Sequence, residues 1–314
     1  MDNLIKAVDR RCGEILRTLR DDGDSLGIET SLFPSGARLY DAGLKAGGSY
    51  EAGAFVTELC QGGLAKASIS VGPLGPLLLP HITVESFSPR DANLVLQSAM
   101  AFEGQMISGP IKLFLGEDAP SPDGLSGIFT AVIQGDACPS EEWVLTLADR
   151  AGCRPDQLSL ILVPQASAAG STQIAGRMNE NIIFTMENSL GYDASMARHI
   201  LGTCPIGPYG PPSEGKRLLL PDDYIHYAAG VTLTVDAPDG TDIQKLASDL
   251  AFDSLDIYGK LFVELLSEAD WDFFKIPNVM HINKLAEVTV IDVRSGRTAR
   301  AGSRRCELLT GELI

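Results

Sequence analysis

None of the six cysteines, at positions 12, 60, 138, 153, 204 and 306, stands at C-x-x-C spacing. The four histidines, 81, 199, 226 and 281, do not recur at metal-ligand spacing either, which argues against a structural zinc site. G-x-G-x-x-G is absent and no Lys-Ser or Lys-Thr follows a glycine loop, so neither nucleotide fingerprint is present. Long apolar runs are missing too. The most apolar window, Ile69 to Val84, is broken by Pro73, Pro76 and Pro80 and by Gly72 and Gly75, and cannot be a membrane helix. Charges interrupt the first twenty residues throughout, so they read as an amphipathic helix carrying Leu4, Ile5, Val8, Cys12, Ile15, Leu16 and Leu19, and not as a signal peptide. Cations are scarce: 25 Lys and Arg face 41 Asp and Glu, for a net charge of −16. Nucleic acid and anionic membrane surfaces both select for cationic proteins, and neither is an expected partner. A reducing cytoplasm is the expected location.

A chain of 314 residues suffices for about two domains and a sizeable apolar core. Strand patterns at 27–32 and 37–41 flank Pro34-Ser35-Gly36, a hairpin turn. A helix is expected at 50–60 and strands at 66–71, 81–87, 111–115 and 128–133, with a Pro-rich surface loop or irregular edge at 72–80 and a helix at 90–102. Ser140 can cap a helix running to Ala151, followed by a buried strand at 158–163 and a long helix over 171–190. A loop at 202–215, a strand at 231–235, helices within 242–253 and 254–267, and a hairpin pairing 287–293 with 298–301 complete the chain. The two hairpins share a Ser-Gly turn, which is too little to establish a repeat. The expected class is mixed α/β, with two α/β domains side by side, a pocket between them, and a division at 1–135 and 136–314. The closing hairpin is left free to pack on the first domain.

Glycines bracket the helix at 50–60, with Gly47, Gly48 and Gly53 at its start and Gly62-Gly63 at its end. Glycine permits φ > 0 and close approach, and a helix start offers N–H groups to an anion; the same spacing also suits a helix with ordinary glycine ends. On the long helix, Arg177 and Glu180 stand three apart on one face, while Ile174, Met178, Ile182 and Met186 form the apolar stripe. Spacing alone allows a solvated ion pair or a working pair held on a rigid element.

Six blocks carry a resemblance: YDAGLKAGGSYEAG (Tyr40 to Gly53), CQGGLA (Cys60 to Ala65), VPQASAAGSTQIAGRMNE (Val163 to Glu180), GTCPIGP (Gly202 to Pro208), DDYIHYAAG (Asp222 to Gly230) and IYGKLF with DWDFFKIP (Ile257 to Pro277). In this order the chain resembles the methenyltetrahydromethanopterin cyclohydrolases, from near Leu16 to the C-terminus. The resemblance implies hydrolysis of a cyclic amidine in one-carbon metabolism, in formaldehyde oxidation or methanogenesis. It also implies a homotrimer, and catalytic roles for Arg177 and Glu180. A carboxylate can take a proton from the attacking water and return it to the leaving nitrogen, and a guanidinium can hold that carboxylate ionised.

No metal or tightly bound cofactor is expected, a tetrahydromethanopterin derivative being the substrate. Candidate substrate contacts are Gly47, Gly48, Ser49, Tyr50, Glu51, Ser108, Thr203, Pro205 and Tyr227, each also explicable as a turn or packing residue. Cys60 and Cys204 lack a neighbouring histidine and read as buried small side chains, and His226 is a candidate titrating group. The alternative to an enzyme is a pterin carrier or regulatory binding protein that kept the pocket and lost the chemistry.

Overall fold

The computed structural model describes residues 2–96, 100–116, 119–210 and 214–314. In chain order the elements are α1 (Asp2–Asp21), α2 (Gly23–Leu26), β1 (Glu29–Leu32), β2 (Arg38–Asp41), α3 (Tyr50–Cys60), β3 (Ala65–Leu74), β4 (Leu77–Ser86), α4 (Pro89–Leu96), β5 (Met100–Phe102), β6 (Gln105–Ser108), β7 (Thr130–Gln134), α5 (Glu141–Ala151), β8 (Ser159–Leu162), α6 (Ala168–Ala175), α7 (Met178–Phe184), β9 (Ala197–Pro205), α8 (Pro221–Ala228), β10 (Gly230–Val235), α9 (Ile243–Leu250), α10 (Phe262–Glu268), β11 (Glu287–Asp292), β12 (Thr298–Gly302) and α11 (Cys306–Leu313). The architecture is mixed α/β, with two six-stranded sheets ordered β1-β2-β8-β7-β6-β5 and β12-β11-β10-β9-β4-β3.

The chain divides into two compact units, one formed by Met1–Ala67 with Asp91–Gln173, the other by Ser68–Arg90 with Ile174–Ile314. This division falls elsewhere than the expected point near residue 135. The reason is strand pairing: β8 lies parallel to both β2 and β7, with Leu39 opposite Leu160 and Val132 opposite Ile161, so residues on both sides of 135 share one sheet. β7 and β8 are apolar on both faces, as sheet strands covered by helices must be. The stripe of α1 packs into the core of this unit through Ile5, Val8, Cys12, Ile15 and Leu19. The closing hairpin, β11 and β12, belongs to the second unit, where β11 runs parallel to β10.

Several local expectations are corrected. Ile111 to Leu115 is not a strand: Pro110 opens a 3-10 turn over Pro110–Phe114 that buries Ile111 and Phe114. The helix at 90–102 stops at Leu96, residues 97–99 lie outside the described residues, and Met100–Phe102 turns back onto β6. The two-residue turn there, Glu103-Gly104, has φ +44° and +79°, the left-handed geometry that suits a tight hairpin. The Pro-rich stretch expected as a surface loop or irregular edge is the turn and flanking strands of the β3–β4 hairpin, turning at Gly75 with φ +57°, with β3 at the sheet edge. Of the loop expected over 202–215, Gly202 to Pro205 is instead the end of β9, bonded between β4 and β10, and residues 211–213 lie outside the described residues. Tyr227 lies within α8.

Candidate active site

The glycine-rich segment of the first unit is built from Asp41. Its buried carboxylate accepts from the N–H groups of Gly43 (3.0 Å), Leu44 (2.7 Å), Lys45 (2.9 Å) and Ala46 (3.5 Å). Burial raises that carboxyl, and these four bonds outweigh it, holding the group below the usual carboxylate range. The loop's donors are therefore satisfied from within. Gly48 sits at φ +63°, where a Cβ would come 2.5 Å from the Ala42 carbonyl oxygen, and its N–H donates to Gly27 (2.9 Å). Ser49 is the N-cap of α3, its hydroxyl accepting from Ala52 (3.0 Å). Tyr50 and Glu51 open that helix, Glu51 exposed. Gly53 lets α3 pack on α6, since a Cβ there would lie 2.4 Å from Thr172. Gly62 and Gly63 close α3 at φ +63° and +67°. Gly47 alone among these has open space around it. Ser108 is buried on β6 with its hydroxyl 3.6 Å from the Cys60 thiol.

The expected long helix is two helices interrupted at residues 176–177, of which α7 lies in the second unit. A mid-helix glycine is costly, and the N–H of Arg177 turns back to the Ile174 carbonyl (3.0 Å), ending α6. Arg177 thus becomes the N-cap of α7, with Glu180 in its first turn, where a carboxylate suits the helix dipole. Glu180 is buried, and the stripe Ile174, Met178, Ile182 and Met186 is buried beneath as expected.

This helix start is pinned to the sheet. Asn179, buried next to Glu180, donates from its amide to the Val84 carbonyl of β4 (2.9 Å). On β9, Gly202 leaves the room that Asn179 and Met178 occupy: a Cβ would fall 2.4 Å from the Asn179 Oδ1 and 2.8 Å from Met178. Asn179 was not singled out from the sequence, and its position beside Glu180 is the signal that was there to use.

Thr203 and Pro205 follow Gly202 on β9, opposite Thr83 and His81. Tyr227 lies in the core of α8, its hydroxyl donating to the Lys260 carbonyl (2.6 Å) and accepting from the Gly259 N–H (3.0 Å). His226 does not serve as a switch. It is stacked on Phe252 with centroids 4.2 Å apart, and burial pushes it down to about 3, so it stays neutral. Burial pushes the Cys204 thiol well up, leaving it an inert side chain. Lys260, exposed, is paired with Glu268 (2.8 Å).

Among the described residues, no group of three or more His, Cys, Asp and Glu is placed to hold a metal ion, and no helix is long and apolar enough to cross a membrane. The arrangement offers a buried carboxylate and a guanidinium at the start of one short helix held down by a side-chain bond and a glycine contact.

Comparison with known proteins extends over almost the whole chain. The family model described as "Cyclohydrolase (MCH)" matches residues 7–312. A methenyltetrahydromethanopterin cyclohydrolase of Methanothermobacter marburgensis is 29% identical over 308 residues, covering 94% of this chain and 95% of the relative. That of Methanobrevibacter smithii is 29% identical, covering 91% of this chain and 92% of its own. That of Methanocaldococcus jannaschii is 26% identical, with 98% of each chain covered.

Proposed function

The chain belongs to the cyclohydrolase (MCH) family, and from that premise we propose that it hydrolyses 5,10-methenyltetrahydromethanopterin to the N5-formyl form in one-carbon metabolism. The observation that carries the mechanism is the pinned start of α7, which supplies a buried carboxylate three residues from a guanidinium. Glu180 takes a proton from a water molecule as its oxygen bonds to the methenyl carbon between two nitrogens. The resulting tetrahedral carbinolamine collapses as one C–N bond breaks: the same carboxyl returns the proton to the leaving nitrogen, and the hydroxyl proton passes to solvent as the formyl C=O forms. Arg177 orients Glu180 and favours its charged form. The negative charge of Glu180 also favours the cationic substrate. Thr203 and Pro205, on the strand against which α7 packs, are proposed pterin contacts. We further propose that the protein works in the cytoplasm as a homotrimer without a tightly bound cofactor, in formaldehyde oxidation or methanogenesis.

The test is direct. Purified protein mixed with methenyltetrahydromethanopterin should accelerate the loss of its near-ultraviolet absorbance, and the product should carry its formyl group on N5. Binding without accelerated loss would make the protein a pterin carrier.

A further inference from the structure

The helix that carries Glu180 takes little of its orientation from its own chain. α7 has seven residues, and the break at 176–177 separates it from α6, so α6 does not set its rotation. Its far end is tied by the Thr185 hydroxyl, which donates to the Asn283 carbonyl (2.7 Å). At the end that carries Glu180, the tie to the sheet is made by Asn179.

Val84 of β4 and Gly202 of β9 stand directly opposite each other in the sheet. Asn179 sits on this pair and engages both members. Its Nδ2 donates to the Val84 carbonyl (2.9 Å), and its Oδ1 lies 2.4 Å from where a Cβ of residue 202 would stand. A hydrogen bond to one strand and a close fit on the next together fix the slide and the rotation of the helix start. The next residue, Glu180, leaves the helix about 100° further round. With its side chains an α-helix is about 10–12 Å across, so a rotation of about 10° moves a group at its rim by about 1 Å. A misplacement of that size at a reacting group lowers a rate on the order of a hundredfold.

An amide is an unfavourable way to fill the space over Gly202. Asn179 is only 2% exposed, and among the described residues its Oδ1 is buried without a hydrogen-bond partner. Leucine has nearly the same shape and would leave no polar atom of its own unpaired. What leucine lacks is a donor for the Val84 carbonyl. The directional bond, and not the volume, is therefore what asparagine supplies at this position.

We propose that Asn179 is a positioning residue: its bond to Val84 and its seat on Gly202 set the rotation of α7 and with it the place of the Glu180 carboxylate. The inference deepens the reading that Glu180 carries the reaction, and rests on it.

The test measures kcat, KM, the solvent deuterium isotope effect on kcat and the melting temperature in Asn179→Leu, Asn179→Ala, Gly202→Ala and the Asn179→Ala/Gly202→Ala double variant, with Glu180→Gln and Val290→Ala as controls. Asn179→Leu should lower kcat by about ten- to a hundredfold and leave KM within about twofold. Its isotope effect should rise, because proton transfer by a displaced carboxylate becomes the slow step. Gly202→Ala should act in the same way, since the new Cβ collides with Asn179. In the double variant that collision is gone, so it should be no slower than Asn179→Ala alone, the non-additivity of two groups that share one contact. These alanine variants carry the test should the leucine variant fail to fold. Val290→Ala truncates a buried residue of β11, a strand on which α9 packs, and should lower the melting temperature while leaving kcat and the isotope effect near those of the wild type. The proposal is overturned by normal kcat in Asn179→Leu when Glu180→Gln is slow, by an additive loss in the double variant, or by an equal loss of kcat in Val290→Ala at a matched melting temperature. Near-normal turnover in Glu180→Gln would overturn the catalytic reading itself, and this inference with it.

Discussion

Around α3 nearly every glycine is used by the backbone, whereas around α7 the glycine and the amide contact hold down the helix start on which Arg177 and Glu180 sit. Gly48 and Gly53 are required by a left-handed turn and a close helix contact, and the donors of the loop are taken up by Asp41. At α7, Gly202 lies on a different element, and what it makes room for is the turn that carries Glu180. A dense run of glycines is thus compatible with a self-sufficient turn. A buried carboxylate on a helix start that is bonded to the sheet is the better indicator of chemistry.

The sharpest way to break this contrast is Glu180→Gln. It should cost roughly a hundred- to ten-thousandfold in kcat with substrate binding retained, the contribution of a general acid–base. Arg177→Ala should also slow turnover, and combining the two should add little, as expected of groups acting as a unit. Additive losses would assign them independent roles.

Next in size is Gly202→Val, which drives a branched side chain into Asn179 and Met178. Overpacking of this kind costs about 1–3 kcal/mol, and a thermal melt together with kcat should show both falling. If stability falls and kcat does not, the seat of α7 is not coupled to Glu180.

Within α3's loop, Gly48→Val should cost about 1–3 kcal/mol because a β-branched residue is strained at that φ and meets the Ala42 carbonyl. Gly47→Ala should stay within about 0.5 kcal/mol. A raised KM in Gly47→Ala at unchanged stability would support a ligand-binding role for this loop.

A loss of about 1 kcal/mol at neutral pH is expected from Asp41→Asn, since the amide keeps one acceptor. The folded carboxyl lies below its ordinary value of 3.8, so its contribution is present above that value and is lost as pH falls through the folded one. The gap between variant and wild type should therefore close on acidification. A gap constant down to pH 2 would mean that the carboxylate charge contributes nothing there.

Where sequence signals and tertiary contacts agree, the elements were legible. Ser140 caps α5 by accepting from Trp143 (3.2 Å), the acids Glu141 and Glu142 follow, and Gly152 ends the helix in the left-handed region. The stripe along α1 and the Pro34-Ser35-Gly36 turn are of the same kind. β9 was not legible, because Gly-Thr-Cys-Pro carries loop composition and becomes a strand only through its bonds to β4 and β10. Ile111 to Leu115 erred the other way, its apolar residues burying from a 3-10 turn. At the site, the residue types and spacing of Arg177 and Glu180 could be read from the chain. The break that makes Arg177 a cap and the anchor at Asn179 depend on contacts that no local window contains. One signal for α8 was present, since Pro followed by two acids marks a helix start.

The β3–β4 hairpin is made early and finds its partner late. Its neighbour in the second sheet is β9, so residues 87–196 must be synthesised before β4 can be paired on that side. At about 5–20 residues per second, that interval is on the order of ten seconds on the ribosome. During it, an apolar ribbon waits with its backbone groups unpaired, and even in the finished fold Val71 and Leu78 remain 71% and 73% exposed. Such a ribbon is the kind of surface that nascent-chain chaperones hold and that aggregates seed from. The yield of folded protein should accordingly depend more on how quickly translation reaches residue 205 than on the stability of the chain once complete.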